Sequence, residues 1–393
     1  MSLINPSFWF PWHPIPPSPS NAICSVNLLQ AGSLTLPEDL VLLPNPNQTN
    51  GSMSESQNKV DKKLHVPDYV FLLEHLPTKQ YYIFDLGMRR DLENLPPYLV
   101  KNVLPQFDCE PVSPADILHE HGTEEQQPEN VKAVIFSHQH FDHVGDGAKA
   151  GFTNAELWVG PTCCTYARPG YPVDPDGVTL TETLPTDGSR KIVEAFISDD
   201  LLERAGDNRV GKVAEAKKKG LYEAVSFRDP GEEGWIGLGA FDRGFDVFGD
   251  GAAYLIDASG HSAGHQMMLV RVKSRKGTED EFVVLAGDCY HHPMLLKEPE
   301  RTARPPYSKE SMHADPEQAV DSIARVKQFA ENQNVWVIGK SLFTEKLVLE
   351  LTNEGAHDFS VGNTIAPGKK NITGLVSLND WKEKGWKGTQ GQP

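Results

Sequence analysis

Cysteine is scarce in this chain and poorly spaced for cross-linking. The 393 residues include five, Cys24, Cys109, Cys163, Cys164 and Cys289, an odd number without a CxxC pair. That excludes a disulfide framework and predicts free thiols in a cytosolic protein. Positive charge is also short: Lys plus Arg number 37 against 54 Asp plus Glu, for a net charge of −17. The balance disfavours nucleic acid or an anionic membrane surface as a partner. No apolar run approaches the length of a transmembrane helix. The first twenty residues, "MSLINPSFWFPWHPIPPSPS", lack a basic start and are too broken by proline for a signal peptide. Without one, the sequons at Asn47, Asn50 and Asn371 carry little weight. What is present, 39% hydrophobic and 23% charged residues, is ordinary for a globular chain able to bury a sizeable core.

Apolar patterning predicts strands at 22–29, 69–75, 80–86 and 131–136, with a helix in "SPADILHEHG" that starts at Ser113 and Pro114 and stops at Gly122. A second group of strands is expected near 155–159, 191–197, 245–248, 252–257, 266–272 and 281–286. "DPEQAVDSIARVKQFAENQ" then places Ala319, Ile323, Val326 and Ala330 on one helix face, with Asp315 as cap and Pro316 at the first helical position, ahead of a short strand in "VWVIG". Two groups of strands, each closed by helical sequence, predict an α/β sandwich: two mixed sheets packed face to face, with helices outside. Residues 1–20 read as a proline-rich arm whose Trp9, Phe10 and Trp12 cover the domain's own surface. Residues 21–393 read as one domain, with a charged insertion near 199–233 expected to be a solvated surface feature, the alternative being a lid.

The chemistry concentrates in "SHQHFDH", residues 137–143, directly after the apolar "VKAVIF". On a strand end alternate residues point the same way, so His138 and His140 can converge on one metal, while the following turn swings Asp142 and His143 toward a second. A histidine-rich loop without further ligands would be inert, but ligands recur downstream. "DASGHSAGH" sets His261 and His265 after one strand, and "FVVLAGDCYHH" sets Asp288 at the end of another. Each sits where a strand ends, as a site at one edge of a sandwich requires.

Taken together, "FDLG" with Asp85, "SHQHFDH", "SGHSAGH" and "AGDCYHH" resemble, in order, four motifs of the metallo-β-lactamase-fold hydrolases. The match covers roughly residues 65–340, and "DLGMRRDLENLPP" with "FGDGAAYLIDASGH" is similar more narrowly to fungal lactonase-like members and to γ-lactamases that open benzoxazolinones. The resemblance implies an αβ/βα sandwich with one or two zinc ions at the sheet edge. It implies His138, His140 and His261 on the first metal, Asp142 and His143 on the second, Asp288 bridging, His265 structural, and Asp85 orienting the histidine loop. The chain departs from the pattern at the last ligand, where "VWVIGKSLF" gives Lys340 instead of a histidine. Three accounts are open: His357, His291 or His292 substitutes; the second site is weak or empty, the favoured account; or Lys340 points into the cleft. His313, in "MHADPEQ", reads as a loop residue near a helix start.

The implied activity is hydrolysis of a small cyclic ester or amide, that is a lactone, a lactam or a cyclic carbamate, by a metal-bound hydroxide, with Asp142 or Asp288 moving the proton. An acyl thioesterase, or a metal-binding protein without turnover, is the alternative. The expected partner is a small-molecule substrate.

Overall fold

The computed structural model describes residues 9–44, 63–146, 151–274, 279–339 and 361–387. In chain order the strands are β1 (Cys24–Pro37), β2 (Lys63–His75), β3 (Gln80–Phe84), β4 (Asp108–Pro111), β5 (Val131–Ile135), β6 (Glu156–Val159), β7 (Ile192–Ala195) and β8 (Val225–Arg228). They continue with β9 (Ile236–Leu238), β10 (Phe241–Asp246), β11 (Ala253–Asp257), β12 (Gln266–Lys273), β13 (Glu281–Leu285), β14 (Val335–Ile338) and β15 (Val376–Ser377). The helices that matter below are α1 (Pro97–Asn102), α2 (Pro114–His121), α3 (Cys163–Ala167), α4 (Asp199–Arg204), α5 (Lys212–Lys218) and α6 (Pro316–Glu331).

One sheet runs β15-β1-β2-β3-β5-β6-β7-β8, with β4 added beside β1. It is antiparallel from β15 to β3 and parallel from β3 through β8. The other runs β14-β13-β12-β11-β10-β9, and its one parallel pair is β13 with β14. Both sheets are therefore mixed, as the sequence pattern predicts.

Side-chain alternation sorts each strand into two faces. Val26, Leu28, Phe71, Leu73, Phe84 and Ile135 of the first sheet meet Leu255, Met268, Val270, Val283 and Leu285 of the second in the central core. The alternate residues Leu29, Val70, Leu72, Ile83 and Val134 face outward beneath Ala115 and Leu118 of α2 and Cys163, Cys164 and Ala167 of α3. On the other side Ile256, Met267, Leu269 and Val284 lie under Ile323, Val326 and Phe329 of α6. Helix α6 begins as its sequence dictates, with the Asp315 side chain accepting a hydrogen bond from Gln318 N at 3.2 Å and Pro316 at its start. Helix α2 also has its expected bounds, although the Ser113 hydroxyl makes no cap hydrogen bond.

The described part of the N-terminal arm packs on its own domain. Phe10 exchanges hydrogen bonds with the Gln328 side chain at 3.0 Å, lies 4.0 Å below the Arg325 guanidinium, and is followed by Trp12 against Phe329.

The charged segment near 199–233 is mostly exposed or half-buried, yet it contributes regular structure. It supplies α4, α5 and the strand β8, which extends the first sheet in parallel with β7. Arg209 is 4% exposed. Its guanidinium donates to both oxygens of Asp257, at 3.2 and 2.7 Å, and to both of Asp207, at 2.9 and 2.6 Å. Arg243 joins the same carboxylates at 2.9 and 3.0 Å. Burial alone would raise the Asp257 carboxyl, but the two guanidiniums outweigh it and hold the group at about 2. A local reading takes Arg209 for a surface charge because its buried partner Asp257 lies 48 residues away.

Removing one member of such a buried pair strands the other, at a cost of about 3–5 kcal/mol. Arg209→Ala should therefore lower the unfolding free energy by that amount, read as a lower urea midpoint at unchanged denaturant slope. A loss under about 0.5 kcal/mol, typical of surface changes, would show that the network does not anchor the segment. The Asp257 contribution, depending on a depressed carboxyl, should be full above about pH 4 and disappear as pH falls toward 2.

Candidate metal centre

Strand β5 is buried along most of its length and delivers Ser137 to the sheet edge, where Phe136 N still donates to Trp158 O at 2.9 Å. Beyond it the chain turns on one buried carboxylate. Asp85, just past β3 and in the left-handed region at φ 62, accepts Ser137 N at 2.7 Å, the Ser137 hydroxyl at 2.7 Å and His143 Nδ1–H at 2.8 Å. The Ser137 oxygen then accepts His138 Nδ1–H at 3.0 Å. With their Nδ1 protons committed, His138 and His143 both present a bare Nε2.

Those nitrogens face the others as the motif spacing predicts. His138 Nε2, His140 Nδ1 and His261 Nε2 form a triangle with sides of 2.9, 2.9 and 3.0 Å. Burial, followed by the neighbouring imidazoles, pushes His138 and His261 well below the usual histidine range, and burial pushes His140 down to about 4. Three neutral rings with acceptor nitrogens this close repel one another unless a cation lies between them. The donor set thus fits a divalent metal of the imidazole-binding kind.

His261 comes from the loop between β11 and β12. That loop is closed by His265, whose Nδ1–H donates to Ala258 O at 2.8 Å, and is joined to the other sheet by Gln266 N donating to Ser137 O at 2.8 Å. Asp288, after β13, faces both halves of the centre: Oδ1 is 3.0 Å from His143 Nε2, and Oδ2 is 3.8 Å from His261 Nε2. Asp142 Oδ2 lies 4.0 Å from His143 Nε2. All six residues read from the sequence as ligands are therefore gathered at one edge of the sandwich.

Lys340 and His357 lie outside the described residues. His291 Nε2 is 3.2 Å from Asp288 Oδ2, the oxygen on the His261 side, so the ring stands by the first triangle and not by His143. His292 uses its Nδ1 to accept Met294 N at 3.1 Å. Sequence reasoning passed over Ser137 and read His313 as an ordinary loop residue. The structure buries His313 to 5% exposure, with its Nδ1 3.2 Å from His261 Nδ1. Tyr166 of α3 lies beside His140 at 5.9 Å between ring centroids, its hydroxyl raised to about 12 by burial.

The family model described as the metallo-beta-lactamase superfamily matches residues 69–150, from within β2 through the histidine motif. The γ-lactamase MBL2 of Gibberella moniliformis is 32% identical over 213 residues, which span 53% of this chain and 70% of that protein. The chain belongs to the metallo-β-lactamase superfamily. Other relatives are longer than the part they share with this chain. The metallo-hydrolase mfmC of Annulohypoxylon moriforme is 34% identical over 60% of this chain and 51% of its own length. A cytochrome P450 monooxygenase of Penicillium roqueforti, mpaDE, is 29% identical over 83% of this chain but only 33% of its own length. The chain thus spans about a third to a half of these two relatives. Among solved structures, an N-acyl homoserine lactone hydrolase aligns with 81% of this chain and 93% of its own at 18% identity and a TM-score of 0.49.

Because Asp85 fixes both His138 and His143, Asp85→Ala should weaken metal binding at both halves of the centre by about 10–100-fold. A competition titration against a chromophoric chelator measures this. Unchanged affinity would reduce Asp85 to a turn residue.

Proposed function

We propose that the protein is a zinc-dependent hydrolase that opens a small cyclic ester or amide: a lactone, a γ-lactam or a cyclic carbamate such as a benzoxazolinone. The observation that carries this reading is the triangle of His138, His140 and His261 nitrogens, with Asp288 reaching from it to His143. His138, His140 and His261 would hold a first ion, and Asp142, His143 and Asp288 a second. Zinc held there would activate a water at neutral pH and polarise a carbonyl.

The chain's own groups supply the rest. Hydrolysis adds water across the ring bond, with the oxygen going to the carbonyl carbon and a proton to the departing nitrogen or oxygen. Asp142 or Asp288 would take that proton and return it. Asp85 and Ser137 keep the imidazoles in the tautomer that binds metal. Burial of the ligands, His138 at 1% and His261 at 2% exposure, keeps bulk water from competing. The γ-lactamase names of the relatives from Gibberella moniliformis and Fusarium pseudograminearum support a cyclic amide.

The test is elemental mass spectrometry for metal per chain, on protein purified without chelator or a metal-binding tag, followed by turnover on lactones, γ-lactams, benzoxazolinone and acyl thioesters. We expect bound zinc and ring opening, with His261→Ala slowing it about 10³-fold, the several kcal/mol that a metal contributes. Turnover confined to thioesters would replace the cyclic substrate. Tight metal without turnover on any of them would make the protein a metal binder.

A further inference from the structure

We infer that His313 is a positioning residue for the first metal: its Nδ1 accepts the Nδ1–H of His261 and so holds that ring in the one tautomer that can offer Nε2. The inference rests on the metal reading of the His138, His140 and His261 triangle.

The geometry is built for this contact. A metal held by His261 Nε2 requires the ring's proton on Nδ1. At Nδ1, 3.2 Å away, stands His313 Nδ1, and both residues are buried. One of the two nitrogens must donate and the other accept, so with His261 donating, His313 carries its own proton on Nε2. The alternative use of the pair, an ion held between the two Nδ1 atoms, would demand both nitrogens of His261 at once and hence an imidazolate.

His313 is also fixed independently of any ligand. Three successive carbonyls of the metal-bearing loop are hydrogen-bonded from the segment around the start of α6: Ser259 O from the Ser322 hydroxyl at 2.8 Å, Gly260 O from Asp315 N at 2.9 Å, and His261 O from Ala314 N at 2.9 Å. Gly260, at φ +123, allows this approach, since a Cβ there would meet Ala319 N at 2.5 Å. His313 N donates to Ser311 Oγ at 3.1 Å, and the Asp315 side chain is held in turn by Asn208 at 2.8 Å. The helix that covers the second sheet thereby presses one histidine against another at a set distance. His138 and His143 are oriented in this way by Ser137 and Asp85, and His313 does the same task for His261 with a ring nitrogen.

The test is competition titration of zinc and of cobalt(II) against a chromophoric chelator on the full chain, together with the cobalt visible spectrum. The forms compared are wild type, His313→Leu, His313→Asn and His313→Gln, with His313→Leu repeated in the His261→Ala background. Asn places its oxygen where Nδ1 stood, and Gln one bond further out. We expect His313→Leu and His313→Gln to lose about 10–100-fold in affinity for the first ion and to shift the cobalt bands, and His313→Asn to keep most of both. In the His261→Ala background His313→Leu should cost nothing more.

Wild-type affinity in both His313→Leu and His313→Gln overturns the inference, as does an equal loss with and without His261. If His313→Leu does not fold, the contrast between Asn and Gln decides alone. If the wild type itself takes up no metal, the proposed function falls and this inference with it, whereas metal uptake indifferent to His313 removes the inference only.

Discussion

Two hydrogen bonds given by one residue join the sheets at the edge where the site forms. Gln266, the first residue of β12, donates its backbone N–H to Ser137 O at 2.8 Å and its side-chain amide to Phe136 O at 2.9 Å, just past the end of β5. Sandwich sheets normally touch only through side chains, about 10 Å apart. Here they close to backbone contact, and the residues flanking the junction are His138 on one side and His265 on the other. The loop passes through a position that only glycine fits: Gly264 has φ +80, and a Cβ would meet Cys163 Cβ at 2.5 Å. His138 from one sheet and His261 from the other can converge because the backbone has already brought the strand ends together.

This explains which parts of the molecule the sequence makes legible. Ligands carried by strand ends are readable from a short motif, because strand, turn and ligand are contiguous: "SHQHFDH" follows its own strand, and so does Asp288. The layers are readable for the same reason, since each face is written as a local alternation. Contacts made across the fold leave no local mark. Arg209 reads as a surface charge until Asp257 of β11 is placed against it, and its segment reads as an insertion until Val225 pairs beside Ile192. Ser137 looks like a small residue before the motif, yet it relays Asp85 to His138. His313 sits in a polar stretch whose only signal is the helix cap two residues later, and its burial depends on where α6 lands.

The same geometry fixes the electrostatics of the centre. Asp85 accepts three hydrogen bonds, and on the proposed reading Asp142 and Asp288 would hold metal as carboxylates. The imidazoles of His138, His140 and His261 are held neutral by burial and by one another. Three carboxylates therefore stand in or beside this cluster of neutral rings. Counted as ionised and before any hydroxide is added, they leave the cluster one net negative charge with one divalent ion and one net positive charge with two. In a buried site that difference in sign is felt strongly by developing negative charge. By sequence, Lys340 stands where the resemblance expects the last ligand of the second ion. A mononuclear form would need a further positive group to reach the same sign.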